Sequence, residues 1–326
     1  MKAVIVRTLF STTTVYIYIK SAIATTDIRA QSHIMSYLVF GSTGYIGSRL
    51  VALLKDDGKS VHCAKSRIEN YVDTANELDE IKPAYVLHAA GLTGRPNIDW
   101  CEVNKIQTVQ VNVIASQNLA DMCYQRGIHM TNYATGCIYD YVEGTEHACG
   151  GNPFTEEDEP NYKGSFYSET KIYAEKIISQ FPNVLTLRVR MPISADLHPR
   201  SFVTKIAQYE KLINYPNSVS VLTELLPISL DMTSKKLTGL YNFTNPGTVS
   251  HNEVMDLYRE FIDPTKVTTN FSIEEQAKVI KSGRCNNHLD VSKLQKLYPE
   301  IPEVHVALRR AFEKMSNDGL AVKREE

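Results

Sequence analysis

Three glycines in the segment YLVFGSTGYIGSRLVALL constrain the fold of this chain more than any other feature. They follow a short apolar run and precede an amphipathic one, which predicts a turn between a buried strand and a helix. Side chains there would keep the backbone away from a pyrophosphate, whose charge is stabilised by the amides at the start of a helix. The segment therefore predicts a dinucleotide site, with a Gly-rich turn that binds nothing as the alternative. The residues predicted to contact the dinucleotide here are Gly41, Thr43, Gly44, Tyr45, Ile46 and Gly47.

Short apolar runs alternate with longer amphipathic segments from residue 37 onward. This alternation is typical of parallel strands joined by helices, so the sequence predicts an α/β fold with a Rossmann-type, doubly wound parallel sheet. The predicted strands are Tyr37–Phe40, Ser60–Cys63, Tyr85–His88, His129–Ala134, Val184–Arg190 and Leu240–Thr244. Between Met191 and the sixth predicted strand the pattern is interrupted by Pro192, Pro199, Pro216 and Pro227, and a smaller carboxyl-terminal lobe is expected to begin there.

The end of the second predicted strand indicates which dinucleotide binds. An NAD site normally places an acid there to hold the ribose 2'-hydroxyl, but this strand runs into the sequence AKSR. Its two cations, Lys65 and Arg67, suit a 2'-phosphate and favour NADPH over NADH, with a solvated basic turn as the alternative. The HAAG segment after the third strand adds small residues that would let the nicotinamide half lie close to the backbone, namely Ala89, Ala90 and Gly91.

Three segments of the chain are expected to differ in role. Residues 35–190 are predicted to form the NADP-binding Rossmann domain, and residues 191–326 mainly the substrate-binding lobe. Residues 1–34 are rich in Ser, Thr and β-branched residues and contain one acid, Asp27. We interpret them as an appendage, either a targeting segment or an extension from an upstream start codon, because Met35 directly precedes the first strand.

Charge and cysteine content exclude several classes of function. A formal net charge of -2 and the lack of a Lys/Arg block remove the electrostatic basis for binding nucleic acid. Six scattered cysteines without a CxxC pair predict neither a disulfide scaffold nor a metal site. No apolar run approaches the ~20 residues that cross a bilayer. We therefore expect a cytoplasmic enzyme with a small-molecule substrate, whose oligomeric state stays open, a homodimer among the alternatives.

Tyr167 and Lys171 form the motif YSETK, whose spacing of four residues puts both side chains on one helix face. An ammonium beside the phenol favours the phenolate and lowers a pKa that is ~10 when unperturbed. Tyr167 would then pass a proton to a carbonyl during hydride transfer, and both residues would contact the cofactor. Tyr16 and Lys20 have the same spacing, but only Tyr167 follows a strand that ends in a small hydroxyl residue, Thr135.

Cys137 lies two residues beyond Thr135, where the strand would open into the same cleft. A buried cysteine is usually a small hydrophobe. The residues by themselves therefore leave both a catalytic role and a core position open.

The chain resembles a specific family along most of its length. The matching segments are FGSTGYIGSRL, HAAGLTGRPNIDWCE, YATGCIYDY, FTEEDEPNYKGSFYSETK, LRVRMPIS, ELLPIS, YNFTNPGTVSHNE and EEQAKVI. They are similar to the bifunctional UDP-4-keto-6-deoxyglucose 3,5-epimerase/4-reductases, extended short-chain dehydrogenase/reductases that resemble the carboxyl-terminal half of plant rhamnose synthases. GRPNIDWCE and LRVRMPIS are the most specific segments, because the fold does not require them.

This resemblance implies that UDP-4-keto-6-deoxyglucose is epimerised at C3 and C5 and then reduced at C4 by NADPH, giving UDP-L-rhamnose. It assigns the epimerase acid/base pair to Cys137 and Lys205. Without the family, Lys205 reads as a solvated residue on a helix predicted over residues 201–210. GDP-fucose synthases are also similar around Cys137 and pair their cysteine with a histidine, which makes His198 the alternative to Lys205.

Other residues in the specific segments are candidates for binding the sugar or the diphosphate. Arginine suits bidentate binding of phosphate, although each arginine could instead form a structural ion pair. The candidates are Arg95, Asn97, Arg190 and Met191.

Two other functions fit the same fold. A pure 4-keto reductase, like the dTDP-rhamnose reductases, needs Thr135, Tyr167 and Lys171 but no epimerase pair, so Cys137 distinguishes it. A non-catalytic NADP-binding regulatory subunit would also resemble the reductases in fold. The presence of all five candidate catalytic residues argues against this second alternative.

Overall fold

Six parallel strands form the central sheet in the computed structural model, which describes residues 35–95, 97–271, 275 and 285–322. The strands are β1 Ser36–Phe40, β2 Ser60–Cys63, β3 Tyr85–His88, β4 His129–Thr135, β5 Val184–Val189, β6 Lys211–Leu212, β7 Gly239–Asn242 and β8 Thr269–Asn270. The sheet order is β2-β1-β3-β4-β5-β7, and β6 pairs separately with β8. All six strands predicted from the sequence are present, with ends that agree to within two residues. The appendage predicted at residues 1–34 lies outside the described residues.

Helices connect the strands and cover both faces of the sheet. They are α1 Tyr45–Asp56, α2 Tyr71–Ile81, α3 Asp99–Val103, α4 Lys105–Val109, α5 Ser116–Gln125, α6 Phe166–Ile178, α7 Phe202–Ala207, α8 Leu222–Ser234, α9 His251–Phe261, α10 Ser292–Gln295 and α11 Val304–Asn317. A π-helical turn, Gln110–Ala115, joins α4 to α5. Within the described part of the chain, no helix combines the length and the apolar character that a membrane span requires.

Both faces of the sheet are buried, because successive side chains of a strand point to opposite sides. Val39 and Leu187 pack with residues of α1 and α8 on one face. Leu38 and Met130 pack with residues of α2, α5 and α6 on the other face. Double burial explains why the strands read as continuous apolar runs. The predicted doubly wound parallel sheet is therefore confirmed.

Residues beyond β5 contribute to two cores. The helix α8 and the strand β7 return to the central sheet and belong to its first face. A second core joins α7, α9 and α11 through Val203, Val254 and Leu308. The helix predicted over residues 201–210 is shorter, because it ends at Ala207 and the chain then enters β6. The division of the chain at residue 190 stays a prediction.

Candidate active site at the carboxyl ends of β1, β3 and β4

The glycine turn and the HAAG segment lie side by side because β1 and β3 are neighbours in the sheet. Connections leave these two strands in opposite directions, which creates the switch point where open α/β sheets bind ligands. Gly41 has a φ of +75°, and a Cβ there would lie 2.7 Å from the carbonyl carbon of Ala89. A Cβ at Gly47 would lie 2.1 Å from the carbonyl oxygen of Gly41. Glycine is therefore required at both positions.

The first turn of α1 offers its backbone amides to an anion. This helix begins at Tyr45, and its N-cap residue Gly44 has no side chain to satisfy the first amides. Such an end attracts negative charge, so the turn fits a dinucleotide pyrophosphate. The Tyr45 ring is itself buried, with the Arg49 guanidinium carbon 3.9 Å from its centroid and the His198 ring stacked at 4.9 Å. Tyr45 thus contributes its backbone to the turn, while its side chain packs against Arg49 and His198.

The turn after β2 carries both predicted phosphate-binding cations. Lys65 and Arg67 are exposed there, and Arg67 pairs with Glu69 at 3.1 Å. Glu77 from α2 fixes this turn, since its carboxylate accepts the backbone amides of Lys65 at 2.8 Å and Ser66 at 2.9 Å. The exposed cations on a fixed turn fit a 2'-phosphate.

The predicted proton-transfer residues meet where β4 ends. Thr135 is the last residue of β4, and its hydroxyl is close enough to the Tyr167 side chain to lower the pKa of that phenol. Tyr167 is in the first turn of α6, and Lys171 follows one turn later. The position of that helix is set by Ser165, whose side chain caps it, and by Glu102, whose carboxylate accepts a first-turn amide at 2.8 Å.

Burial decides the acidity of this pair. It raises the pKa of Tyr167 above its ordinary value, the Cys137 charge acts in the same direction, and the hydrogen bond with Thr135 opposes them. Burial also lowers the pKa of Lys171 to about 8, while the Glu175 charge raises it. The predicted lowering of the Tyr167 pKa is therefore wrong for the protein alone, because desolvation is the largest influence on it. Tyr167 stays protonated at neutral pH, as a proton donor requires.

Cys137 lies in a polar pocket rather than an apolar core. Its backbone amide donates to Thr135 Oγ1 at 3.1 Å. Arg190 Nη1 donates to its sulfur at 3.2 Å and to the sulfur of Cys285, also at 3.2 Å. The hydrogen bond from Cys285 lowers the pKa of Cys137 most, burial opposes it, and the Arg190 charge lowers the pKa further. The half-buried sulfur is therefore stabilised as a thiolate.

Lys205 and His198 differ in their relation to this sulfur. Lys205 is exposed on α7, and desolvation and the Arg200 charge lower its pKa, while the Cys137 charge acts in the opposite direction. His198 stacks on Tyr45 and accepts the backbone amide of Arg200 at 3.0 Å through Nδ1. Of the two alternatives, Lys205 is the one that interacts electrostatically with Cys137, which favours it as the partner.

The four candidate substrate-binding residues occupy different environments. Arg95 is exposed in the loop before α3, and Asn97 Oδ1 accepts the amide of Asp99 at 2.8 Å. Arg190 is 0% exposed and directs its guanidinium at the two sulfurs, so its contact with the sugar stays a prediction. Met191 follows β5 with a φ of +38°, a strained conformation of the kind that functional sites retain.

Two residues of this site, Cys285 and Arg200, were not predicted from the sequence. Cys285 lies in the segment GRCNNHLD, far from Cys137 along the chain, and no local pattern predicts that the two thiols meet. Arg200 Nη1 donates to Thr93 Oγ1 at 2.8 Å and so joins the loop after β3 to the start of α7. Its position between the two alternatives His198 and Lys205 is a signal that could have identified it.

The chain is similar to proteins of one family along most of its length. The family model described as RmlD substrate binding domain matches residues 35–316. A bifunctional dTDP-4-dehydrorhamnose 3,5-epimerase/dTDP-4-dehydrorhamnose reductase from Arabidopsis thaliana is 48% identical over 281 residues, which cover 86% of this chain and 93% of that protein.

Two further relatives carry names that specify UDP. A trifunctional UDP-glucose 4,6-dehydratase/UDP-4-keto-6-deoxy-D-glucose 3,5-epimerase/UDP-4-keto-L-rhamnose-reductase from Arabidopsis thaliana is 47% identical over 276 residues, which cover 84% of this chain but 41% of that longer protein. The crystal structure of a UDP-rhamnose synthase from Acanthamoeba polyphaga mimivirus is 38% identical with a TM-score of 0.81, covering 86% of this chain and 99% of that one.

Proposed function

Because the chain belongs to the RmlD substrate binding domain family, we propose that it converts UDP-4-keto-6-deoxyglucose to UDP-L-rhamnose by 3,5-epimerisation and NADPH-dependent 4-keto reduction. One observation carries both halves of the proposal: the proton-donor pair Thr135 and Tyr167 lies beside the thiolate-stabilising pocket of Cys137. A ketone bound to that pair would present its neighbouring carbons to an acid/base group. In this proposal residues 35–190 mainly bind cofactor and residues 191–326 mainly bind substrate.

Epimerisation begins at the carbons next to the ketone, whose protons are acidic because the resulting enolate is delocalised. The Cys137 thiolate takes a proton from C3 or C5, and hydrogen bonds from Thr135 and Tyr167 stabilise the enolate oxygen. The Lys205 ammonium returns a proton to the opposite face of the ring, which inverts the centre. Cys137 then releases its proton and Lys205 regains one from solvent, which reaches both half-buried Cys137 and exposed Lys205.

Reduction uses the same oxygen. The glycine turn, the HAAG segment and the cations Lys65 and Arg67 would hold NADPH, which supplies the hydride when bound. Tyr167 donates its proton to the C4 oxygen, and Thr135 holds that oxygen in place. The Lys171 ammonium stabilises the phenolate that Tyr167 becomes, and its lowered pKa of about 8 lets it pass a proton back.

The choice of UDP follows from two relatives whose names specify it, while a third relative is named for dTDP sugars. The base would be bound by the carboxyl-terminal region. Competing the UDP-linked and dTDP-linked 4-keto sugars against each other in one reaction measures this preference directly, as a ratio of kcat/KM values.

The proposal is tested by incubating the protein with UDP-4-keto-6-deoxyglucose and NADPH in deuterium oxide. We expect NADPH oxidation and UDP-rhamnose that carries deuterium at C3 and C5. Oxidation of NADPH with no deuterium in the product would show that the protein is a 4-keto reductase without epimerase activity. If neither NADPH oxidation nor deuterium incorporation is detected although NADPH binds, the non-catalytic alternative is favoured.

A further inference from the structure

We propose that Cys285 is a positioning residue for the epimerase base: its thiol donates a hydrogen bond to the Cys137 sulfur and, together with Arg190, stabilises the thiolate that faces the substrate. This inference rests on the proposed function, in which Cys137 takes the proton. It assigns a role to a buried thiol that neither the reduction nor the epimerisation uses directly.

The first support is the geometry of the two sulfurs. Arg190 Nη1 lies 3.2 Å from the sulfur of Cys137 and 3.2 Å from that of Cys285, so one guanidinium nitrogen serves both. The two sulfurs therefore flank the same nitrogen, and each thiol shifts the pKa of the other. A cation and two thiols in contact can share one negative charge, provided that one sulfur keeps its proton and donates it.

The second support is the asymmetry between the two thiols. Cys137 is half-buried at the cleft and has Thr135 as a further hydrogen-bonding partner, whereas Cys285 is buried behind it. The charge therefore belongs on Cys137, where it has more donors and meets solvent and substrate. The hydrogen-bonding interaction with Cys137, burial and the neighbouring Cys137 charge raise the pKa of Cys285, which keeps its proton in place for donation. Among the residues that the structure describes, the titratable and charged groups that interact with Cys137 are Cys285, Arg190, Tyr167 and Lys205.

The third support is that the segment carrying Cys285 is anchored to the loop carrying Cys137. Asn287 Nδ2 donates to the backbone oxygens of Gly136 at 3.1 Å and Tyr139 at 2.8 Å. A Cβ at Gly136 would lie 2.6 Å from a methyl group of Leu289, so glycine between Thr135 and Cys137 allows this close approach. The contact between the thiols is thus built into the backbone of both segments.

The Arg190 side chain is held in one orientation by the same segment. Its Nη2 donates to the backbone oxygen of Cys285 at 2.7 Å and to Asn217 Oδ1. Asn217 Oδ1 also accepts the amide of Asn287 at 3.1 Å. Both donors to the Cys137 sulfur therefore come from groups with fixed positions, which is how a site stabilises a charge without reorganising.

The test measures how fast iodoacetamide alkylates Cys137 as a function of pH in the full-length, reduced protein. Cys285→Ala removes the donor, while Cys285→Ser keeps a hydroxyl donor of similar size. All proteins carry Cys149→Ser, so that the tryptic peptide of residues 127–163 contains Cys137 as its one thiol. The exposed Cys63, in a separate peptide, reports general effects on reactivity in each sample.

We expect Cys285→Ala to move the midpoint of Cys137 alkylation upward by about one to two pH units, as the loss of a hydrogen bond to a charged group predicts. Cys285→Ser should restore most of that shift, and Cys63 should not respond. An unchanged midpoint in Cys285→Ala would overturn the inference, as would an equal shift in both variants, since packing alone would then explain it.

A second measurement observes the Cys285 proton itself. Subtracting the S–H stretching spectrum of Cys285→Ser from that of the unmodified protein isolates the Cys285 band from those of the other thiols. This band should lie below that of a thiol free in water, because its proton is donated to sulfur, and a difference band at the free-thiol position contradicts the proposal. Failure of the epimerase function gives a different result, in which the alkylation midpoint shifts as expected but the unmodified protein exchanges no deuterium into its substrate.

Discussion

The glycine turn and the Cys137 pocket lie at neighbouring strand ends but are built in different ways. The turn is one continuous segment, and its glycines are required by contacts within it and with the adjacent HAAG backbone. The pocket is assembled from four separate stretches of chain, which contribute Cys137, Arg190, Asn217 and Cys285. A continuous segment fixes what it binds through local backbone shape, whereas the pocket depends on the complete fold. The reductive half of the chemistry should therefore tolerate changes that remove the epimerising half.

The largest expected effect is on the group that both halves share. Tyr167→Phe should lower the kcat of reduction by ~10²–10⁴, the usual contribution of a positioned general acid. Exchange at C3 and C5 should fall less, because Thr135 still contacts the enolate oxygen. Measuring NADPH oxidation and deuterium incorporation on the same samples checks this. Tyr173→Phe, an exposed tyrosine on the same helix, is the control and should leave both rates unchanged.

A smaller effect is expected from the glycine turn. Gly47→Ala would force a Cβ against the carbonyl oxygen of Gly41, and overpacking of this kind costs ~1–3 kcal/mol. We expect NADPH to bind about 10- to 100-fold more weakly, as measured by fluorescence titration, while alkylation of Cys137 keeps its pH dependence. Ser48→Ala, one residue along the same helix and exposed, should bind NADPH normally. Equal binding by both variants would contradict the role given to the turn.

The turn after β2 should affect cofactor choice alone. Replacing Lys65 and Arg67 together by alanine removes two exposed cations and should lower the preference for NADPH over NADH about tenfold, since exposed charge pairs contribute modestly. The ratio of kcat/KM for the two cofactors measures this preference. A ratio that does not change would indicate a merely solvated basic turn. Deuterium exchange should be unaffected, because this turn, unlike the Cys137 pocket, has no part in epimerisation.

The smallest effects are expected from pH, and they should separate the two halves. Deuterium exchange requires deprotonated Cys137. Because the pKa of Cys137 is lowered, the exchange rate should be at its maximum at neutral pH and should fall only as the solution becomes acidic. Reduction requires the Lys171 ammonium, whose pKa of about 8 predicts that reduction declines as pH rises above that value. Profiles of the two rates that coincide across pH would contradict separate titrating groups.

Sequence patterns predicted the sheet and the turn because both depend on neighbouring residues. The buried strands read as apolar runs, and Gly41 and Gly47 are required by nearby backbone. Pro227 predicts an interruption, yet it lies inside α8, where burial of the helix against the sheet compensates for one lost hydrogen bond. Tertiary packing, which no local pattern records, decided that outcome.

The site itself was predicted in part. The motif YSETK and the resemblance identified Tyr167 and Cys137, but the direction of the Tyr167 pKa depends on burial, which spacing cannot reveal. The contact of Cys285 with Cys137 depends on how the loop after β4 meets a segment near the end of the chain. Such long-range contacts leave no trace in either local sequence.

The role of Cys137 as the epimerase base is tested most directly by Cys137→Ser, supplied separately with the 4-keto substrate and with a substrate that is already epimerised at C3 and C5. We predict that deuterium incorporation from solvent falls by ~10²–10⁴, as for loss of a general base, while NADPH-dependent reduction of the epimerised sugar keeps its rate. Undiminished exchange in this variant would contradict the assignment of Cys137 as the epimerase base.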